Sequence, residues 1–159
     1  MDRLVRLAVF SDTHGNTEGI ERIVHQVNPD VVIHLGDYDR DAKVLQQKYP
    51  HIPVYSVCGN CDYGSQEPTD GVLMFGRVSL FITHGHLYNV REELDTLAFI
   101  ANKEGCQIAL YGHTHVSDYR VINGVTVINP GTAGVGLTLS WAKIVISENG
   151  LFTAEIHNM

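Results

Sequence analysis

The chain has 159 residues, of which 44% are hydrophobic and 18% are charged, so it can bury one sizeable core but not two independent ones. Its formal net charge of -7 disfavours a protein that holds long nucleic acids by neutralising many phosphates with Lys and Arg. An acidic chain is still compatible with a phosphate substrate when bound metal ions supply positive charge. We therefore predict one domain spanning residues 1–159.

Neither a signal peptide nor a membrane span is predicted. The N-terminal region holds one short apolar run, Leu7 to Phe10, and no segment approaches the roughly 20 apolar residues that a transmembrane helix requires. The three cysteines, an odd number, argue against a framework of disulfides and fit a reducing compartment. We expect a cytoplasmic protein.

Apolar runs rich in Val, Ile and Leu predict buried strands along the chain. In order they are Leu4 to Phe10, Val31 to Leu35, Val54 to Val57, Val78 to Ile82, Ile108 to Tyr111 and Val125 to Ile128. Two further patterns predict hairpins. One joins 72–75 to the strand at Val78 through Gly76-Arg77, and the other joins 139–147 to 151–157 through a turn at 148–150.

Helices are predicted between these strands. The first spans 17–28, where apolar residues recur at helical spacing before Asn28-Pro29, and the second spans about 41–48. The third spans about 90–104, with Asn89 as N-cap and Gly105 at its C-terminal end. Its apolar stripe is Val90, Leu94, Leu97, Ala98 and Ala101. Alternating strands and helices predict an α/β fold, and the closing hairpin predicts a second, mixed or antiparallel sheet.

Polar groups follow directly after five of the predicted strands, at the edge where open α/β sheets place their sites. The groups are Ser11-Asp12-Thr13-His14-Gly15, Gly36-Asp37, Gly59-Asn60-Cys61-Asp62, Thr83-His84-Gly85-His86 and Gly112-His113-Thr114-His115. Carboxylates, imidazoles and an amide form a mixed oxygen and nitrogen ligand set, which suits Mn, Fe, Zn, Co or Ni rather than thiolate chemistry. Such a set can hold two ions.

The order of these groups resembles the signature of the calcineurin-like metallophosphoesterases: Asp-x-His, Gly-Asp, Gly-Asn, a lone His and Gly-His-x-His. All five blocks occur in order between Asp12 and His115. The forms Gly-Asn-Cys-Asp, Thr-His-Gly-His and Asn-Pro-Gly-Thr (129–132) are most similar to the small bacterial and archaeal phosphodiesterase branch. The resemblance implies a four-layer α/β/β/α sandwich of two mixed sheets flanked by helices.

The resemblance also implies a site with two divalent metal ions. One ion would be bound by Asp12, His14, Asp37 and His115, and the second by Asp37 as bridge together with Asn60, His84 and His113. Manganese is the first choice, with Ni, Co, Zn, Fe or Mg as alternatives. The implied activity is that of a phosphodiesterase, in which a metal-bound hydroxide attacks a small phosphoester. Residues with an implied catalytic role are Asp37, Asn60, His84 and Cys61.

Cys61 departs from the family pattern, because many members carry His at this position. A thiol, with an unperturbed pKa of about 8.5, is a poor hydrogen-bonding substitute for imidazole. We therefore predict a preference for esters with good leaving groups. Cys58 and Cys61 also match Cys-x-x-Cys, typical of redox or zinc sites, but no second pair exists to complete a four-cysteine zinc site.

Other polar residues receive more ordinary interpretations. Structural roles are expected for His25, His34, His51 and His157. Surface exposure is expected for Asp39, Asp41 and Asp70. Asp62 is expected to support the ligands, and His86, two residues beyond His84, is left open among ligand, support of a ligand and substrate contact. The turn at 129–132 is expected to border the pocket.

Two other functions compete with hydrolysis of a small phosphodiester. A retromer subunit resembles the same fold, has lost part of the metal set and serves as a protein-binding scaffold. All seven ligand positions here carry competent side chains, which favours an enzyme. A phosphomonoesterase or nuclease remains the second alternative, and the net charge disfavours long nucleic acids. Exposed sheet edges make a homodimer plausible.

Overall fold

The computed structural model describes residues 3–159, which form ten strands and three helices. The strands are β1 (Leu4–Phe10), β2 (Val31–His34), β3 (Val54–Ser56), β4 (Asp70–Phe75), β5 (Val78–Thr83), β6 (Ile108–Leu110), β7 (Asp118–Ile122), β8 (Val125–Asn129), β9 (Ser140–Ser147) and β10 (Phe152–Asn158). The helices are α1 (Glu18–Val27), α2 (Arg40–Lys48) and α3 (Asp95–Lys103). Residues 1 and 2 of the predicted domain lie outside the described residues.

The strands form two five-stranded sheets, both mixed. The first has the order β10-β9-β1-β2-β3, in which β1, β2 and β3 are parallel and the β9–β10 hairpin is antiparallel. The second has the order β4-β5-β6-β8-β7, in which β5, β6 and β8 are parallel and the outer strands are antiparallel. Both predicted hairpins are present, and the second mixed sheet is confirmed.

Alternating residues of the central strands face opposite layers, which produces three apolar clusters. In β1, Leu7 and Val9 join the cluster between the two sheets, whereas Ala8 and Phe10 pack towards α1 and α2. The outer face of the second sheet packs against α3. The layers therefore run helix, sheet, sheet, helix, so the expected four-layer sandwich is confirmed.

Helix α3 begins five residues later than predicted, and Asn89 is not its N-cap. Asn89 adopts a left-handed conformation (φ 56°) inside a turn, and its carbonyl oxygen accepts the N–H of Glu93 at 3.2 Å. The Glu93 carboxylate then accepts the N–H of Thr96 at 3.0 Å, which pairs a backbone donor in the first turn of a helix beginning at Asp95. The predicted apolar stripe is nevertheless buried, since its members all belong to the cluster beneath α3.

Two strands differ from the sequence prediction. Strand β3 is only half-buried, because it forms the edge of its sheet and Tyr55 faces solvent. Strand β7 was not predicted, since Asp118 and Arg120 interrupt any apolar run in this edge strand. Within residues 3–159, no helix has the length and apolar character needed to cross a membrane.

Leu80 provides a test of the core between the sheets, because its side chain is fully buried there. We expect Leu80→Ala to lower the free energy of unfolding by about 3 kcal/mol, from lost burial and the remaining cavity. Leu151→Ala, at a side chain 69% exposed, should change it by less than about 0.5 kcal/mol. Urea unfolding in the presence of a chelator measures both, and equal losses would contradict this packing.

Candidate metal centre

The polar groups predicted from the sequence meet where loops from both sheets come together. Backbone hydrogen bonds tie these loops to one another across the site. The N–H of Asp12 donates to Gly36 O at 3.0 Å, and the N–H of Gly112 donates to His84 O at 2.9 Å. The loops after β1 and β2 are thus joined in one sheet, and those after β5 and β6 in the other.

One group of side chains has the geometry of a metal site. Asp12, His14, Asp37 and His115 each offer one ligand atom, and these atoms lie within 4.8 Å of one another. Asp12 Oδ1 is 3.1 Å from His115 Nε2 and 3.9 Å from His14 Nε2. Ligand atoms about 2 Å from a common divalent ion are roughly 3–4 Å apart. These four residues could therefore hold a divalent cation.

A second group adjoins the first through the same carboxylate oxygen. Asp37 Oδ2 lies 3.6 Å from His14 Nε2 on one side and 3.4 Å from His84 Nε2 on the other. Asn60 Oδ1 lies 3.1 Å from His84 Nε2 and 3.0 Å from His113 Nδ1. The structure therefore brings all seven predicted ligand residues together, with Asp37 between the two groups.

The polar atoms of the site fit a cation. Among residues 3–159, the buried side-chain polar atoms without a hydrogen-bond partner are Asp12 Oδ1, His14 Nε2 and His86 Nδ1. A buried polar atom without a partner is costly. Asp12 Oδ1 and His14 Nε2 belong to the first group, where a bound cation would satisfy both.

His84 is held in the tautomer that suits a ligand. Its Nδ1 lies 2.7 Å from the carbonyl oxygen of Leu35, which can only accept a hydrogen bond. Nδ1 therefore carries a proton, and in the neutral ring the lone pair of Nε2 faces Asp37 and Asn60. The side chain is fully buried, so this orientation is fixed by packing as well.

Backbone strain is concentrated at the site. Among the described residues, nine non-glycine residues have positive φ, and five of them are predicted ligands. Those five are Asp12 (56°), His14 (49°), Asp37 (57°), His113 (71°) and His115 (65°). Such conformations are uncommon outside glycine and persist only where surrounding contacts impose them. The orientation of these side chains therefore comes at a cost in backbone conformational energy.

Two glycines are required by close approach to the predicted ligands. A Cβ at Gly59 would lie 2.2 Å from Asp37 Oδ1. A Cβ at Gly112 would lie 2.0 Å from Ser11 Oγ and 2.9 Å from Asp12 Oδ2. The glycine beside each of these signature residues therefore leaves room for a carboxylate from a neighbouring loop.

Asp62 supports the site through the backbone, consistent with the expected supporting role. Its carboxylate accepts the N–H groups of Asp37 (2.9 Å), Tyr38 (2.7 Å), Asp39 (3.0 Å) and Gly59 (2.7 Å). Hydrogen bonds to a charged acceptor are among the stronger ones in proteins. One side chain therefore joins the loop that carries Asp37 to the loop that carries Asn60.

Three carboxylates predicted at the surface are instead buried or half-buried. Asp41 is 4% exposed and accepts from Thr13 Oγ1 at 2.5 Å and from the N–H of Gly15 at 2.9 Å. Asp39 is buried and accepts from the Ser65 hydroxyl. The half-buried Asp70 accepts from the hydroxyls of Thr83 and Tyr88. Their sequence context resembles an ordinary polar surface, so only tertiary contacts reveal these roles.

The histidines outside the signature occupy structural or surface positions. His34 is fully buried beneath the site. Its Nδ1 accepts the N–H of Gly36 at 3.1 Å, so in the neutral ring Nε2 carries the proton and donates to Thr13 Oγ1 at 2.9 Å. His25 and His51 are exposed. His157 stacks on Trp141 with ring centroids 5.1 Å apart.

Burial and neighbouring charges shift the pKa values of the central groups. Burial raises the pKa of Asp12. Burial also opposes the charged form of Asp37, but the hydrogen bond and charge of His84 hold the Asp37 pKa well below its usual range. For His84, burial is outweighed by Asp37 and Asp12, so its pKa rises. Burial, with the charges of His84 and Arg91, lowers the pKa of His113 to about 4.

Cys61 and His86 flank the two groups. The N–H of Cys61 donates to Asp37 Oδ1 at 2.9 Å, and burial together with Asp37 raises the pKa of its thiol. Cys58 and Cys61 are both free, so the Cys-x-x-Cys motif forms no disulfide. The His86 ring lies beside His84 and His113, with centroids 5.5 Å and 6.3 Å away.

Residues outside the signature complete the surroundings. Asn129 Nδ2 donates to Gly112 O at 3.1 Å, and Thr132 Oγ1 donates to Asp12 O at 3.1 Å, so the turn at 129–132 supports the site loops. Arg91, which sequence reasoning missed, donates from Nε to His113 Nε2 at 3.0 Å. No sequence signal identifies Arg91, because it belongs to none of the signature blocks.

The protein is an α/β protein with two facing mixed sheets. Asp, His and Asn side chains gather at the loops of these sheets, in an arrangement that suits divalent metal ions. The family model of the calcineurin-like phosphoesterase superfamily domain matches residues 5–148 of this chain. The chain is 30% identical to the probable metallophosphoesterase YsnB of Bacillus subtilis, over 97% of this chain and 91% of the relative. It is 27% identical to a phosphodiesterase of Methanocaldococcus jannaschii, over 80% and 83% of the two chains. The chain belongs to the calcineurin-like phosphoesterase superfamily.

Solved structures share the fold. A predicted phosphoesterase from Streptococcus pneumoniae superposes with a TM-score of 0.76 at 22% identity, covering 99% of both chains. Vacuolar protein sorting 29 from Cryptosporidium parvum superposes with a TM-score of 0.78 at 15% identity, covering 98% of both. The zinc complex of Vps29 from Entamoeba histolytica gives 0.73 at 17% identity, covering 97% of this chain and 99% of that one.

The buried His34 predicts a pH dependence of stability. Burial lowers the pKa of His34 from 6.5 to about 4. Between these pH values the unfolded chain binds a proton at His34 and the folded chain does not. The free energy of unfolding should therefore fall by about 3 kcal/mol because of His34 as the pH falls from about 6.5 to about 4. Comparing urea unfolding of the chelated protein with His34→Gln across this window should show a shallower loss in the variant.

The exposed His51 supplies the matched control for this measurement. His51→Gln should keep the pH slope of the natural chain. Equal slopes for all three proteins would show that His34 is not held neutral by burial.

Proposed function

We propose that the protein is a phosphodiesterase that hydrolyses a small phosphoester at a two-metal site. The observation that carries this proposal is the position of Asp37 Oδ2, 3.6 Å from His14 Nε2 and 3.4 Å from His84 Nε2. An oxygen between two groups of nitrogen and oxygen donors suits a carboxylate that bridges two cations. Membership of the superfamily supports the reaction class.

The ligand sets follow from the two groups. Asp12, His14, Asp37 and His115 would hold one ion, and Asp37, Asn60, His84 and His113 the other. Manganese remains the first choice for a set of carboxylate, imidazole and amide donors, with Ni, Co, Zn, Fe or Mg as alternatives. Two such cations would supply Lewis acidity and a nucleophile at neutral pH.

The remaining features of the site concern access and charge. Asp37, whose pKa lies below its usual range, stays ionised at neutral pH and keeps the centre attractive to cations. Asn60 is exposed, and His113 and His115 are partly exposed, so a phosphoester can approach from their side. Asp12 and His84 are fully buried, so the phosphoester would not reach the site past their side chains.

A protein-binding scaffold is the main alternative, since Vps29 proteins share this fold. Metal binding alone does not separate the two functions, because one Vps29 structure is a zinc complex. The presence of suitable side chains at all seven predicted ligand positions favours hydrolysis. The charge of -7 favours a small substrate over a long nucleic acid, which leaves a phosphomonoester as the other enzyme substrate. Homodimer formation and a cytoplasmic location stay predictions.

Asp37 provides the test of the reaction. Chelated protein should hydrolyse an aryl phosphodiester only after Mn, Ni, Co, Zn or Mg is restored. Asp37→Ala should lower the rate by about 100-fold or more. Mutating a residue that only hydrogen-bonds to a metal ligand already lowers metal affinity or activity by about 10–100-fold, and Asp37 is itself a predicted ligand. Asp95→Ala, at an exposed acid on α3, should keep the natural rate. No turnover with any metal would favour the scaffold.

Cys61 provides the test of leaving-group assistance. A cysteine whose thiol pKa is raised by burial and Asp37 supplies neither a cation nor a strong acid to the ester oxygen. The natural protein should cleave aryl diesters much faster than alkyl diesters. Cys61→His should raise the alkyl rate relative to the aryl rate by about tenfold, and Cys58→Ser should leave the ratio unchanged. A ratio near one in the natural protein would contradict this assignment.

A further inference from the structure

Arg91 is a cation held directly against a predicted metal ligand. Its Nε–H donates to His113 Nε2 at 3.0 Å, and its Nη2 donates to the carbonyl oxygen of His113 at 3.4 Å. The residue lies in the turn between β5 and α3, which hydrogen bonds from Glu92 and Glu93 to Asn89 O close at 3.0 and 3.2 Å. The guanidinium is exposed at the rim of the site, anchored by an ordered turn.

The bond between Arg91 and His113 fixes the proton of the ring. Arginine only donates hydrogen bonds, so His113 Nε2 must accept with its lone pair. The single proton of the neutral ring then lies on Nδ1, which faces Asn60 Oδ1 at 3.0 Å. A ring that binds a cation through Nδ1 has its proton on Nε2 instead. Ligation through Nδ1 and the hydrogen bond from Arg91 Nε therefore exclude one another.

Building on the proposed function, we propose that Arg91 binds the substrate phosphate, after ligation through His113 Nδ1 releases it from His113. The released guanidinium keeps its place on the turn and has parallel donors that match two phosphate oxygens. Arg91 thus changes partner from a ring nitrogen to an anion. The structure shows the donor and the turn that anchors it, and the tautomer required for ligation gives the reason for its release.

Arg91 lines two cavities beside the site. Arg91 lines a small cavity of 80 Å³ together with His86 and His113, and also a larger cavity of 300 Å³ lined by Tyr111 and Thr114. A phosphate at the metal side would meet Arg91, and the larger cavity would receive the organic group of the ester.

The chemistry of Cys61 makes a cationic donor valuable at this rim. The Cys61 side chain is a thiol, which is only a weak hydrogen-bond donor, so it gives little to a phosphate oxygen. Arg91 supplies a permanent positive charge on the side of His113 instead. Arg120, which lines the same larger cavity, is already paired with Asp118 at 2.8 Å and touches none of the predicted ligands.

The release of Arg91 is tested by NMR on the full chain with Zn²⁺, a diamagnetic ion. The Arg91 Nε–H resonance, assigned by its loss in Arg91→Lys, should shift when chelated protein is loaded with Zn²⁺ and shift again with inorganic phosphate. Arg91→Gln should bind Zn²⁺ about 2- to 10-fold more tightly, because a competing hydrogen bond is removed. A resonance unmoved by Zn²⁺, or weaker Zn²⁺ binding by the variant, would overturn the release.

The binding role is tested by calorimetry of inorganic phosphate with the Zn²⁺-loaded protein. Arg91→Gln should raise the Kd by about tenfold or more, Arg91→Lys by less, and Arg120→Gln by under about twofold. Equal losses in Arg91→Gln and Arg120→Gln would show a general charge effect and overturn the proposal.

Measuring both hydrolysis and phosphate binding with these variants distinguishes a failure of the role of Arg91 from a failure of the proposed phosphodiesterase activity. Hydrolysis of an aryl diester by the natural protein, with phosphate binding unchanged in Arg91→Gln, would overturn only the role of Arg91. Phosphate binding that depends on Arg91, without hydrolysis under any metal, would support Arg91 as the anion site and contradict the phosphodiesterase.

Discussion

The site depends first on the hydrogen bonds that the Asp62 carboxylate accepts. Four backbone N–H groups from the loops after β2 and β3 converge on this one side chain. Without a shared acceptor, those donors would be left unpaired in a partly buried place, at a cost of about 1–3 kcal/mol each. The positions of Asp37 and Asn60 relative to each other follow from this junction.

A second constraint is the negative charge that the junction brings together. Asp12 and Asp37 are both buried, and their oxygens face a common centre. Burial disfavours ionised carboxylates unless opposite charge compensates them. His84 compensates in part, as the opposite shifts of the Asp37 and His84 pKa values show. Strained φ angles at the same residues add to the cost, so the centre is organised for cations at the expense of stability.

The sequence predicted the second sheet and the gathering of the ligand residues for identifiable physical reasons, whereas the four-layer order was implied by the family resemblance. Apolar runs specify buried strands, and parallel strands deliver their following loops to one edge, so the signature blocks had to meet. Asp41 and Arg91 were missed or misplaced because their roles depend on partners far away in the chain. Asp41 accepts from Thr13, 28 residues away, and Arg91 donates to His113, 22 residues away. The start of α3 was wrong for a local reason, since a turn at Asn89 competes with the helix.

The fold alone does not separate a hydrolase from a scaffold, and our proposals place the distinction in the seven predicted ligands and in the rim of the site. Here the exposed rim joins Asn60, His113 and Arg91, with a cavity of 300 Å³ beyond the arginine. In our proposals, a metal centre open on one side, with Arg91 binding the phosphate at its edge, would let a small phosphoester enter and leave.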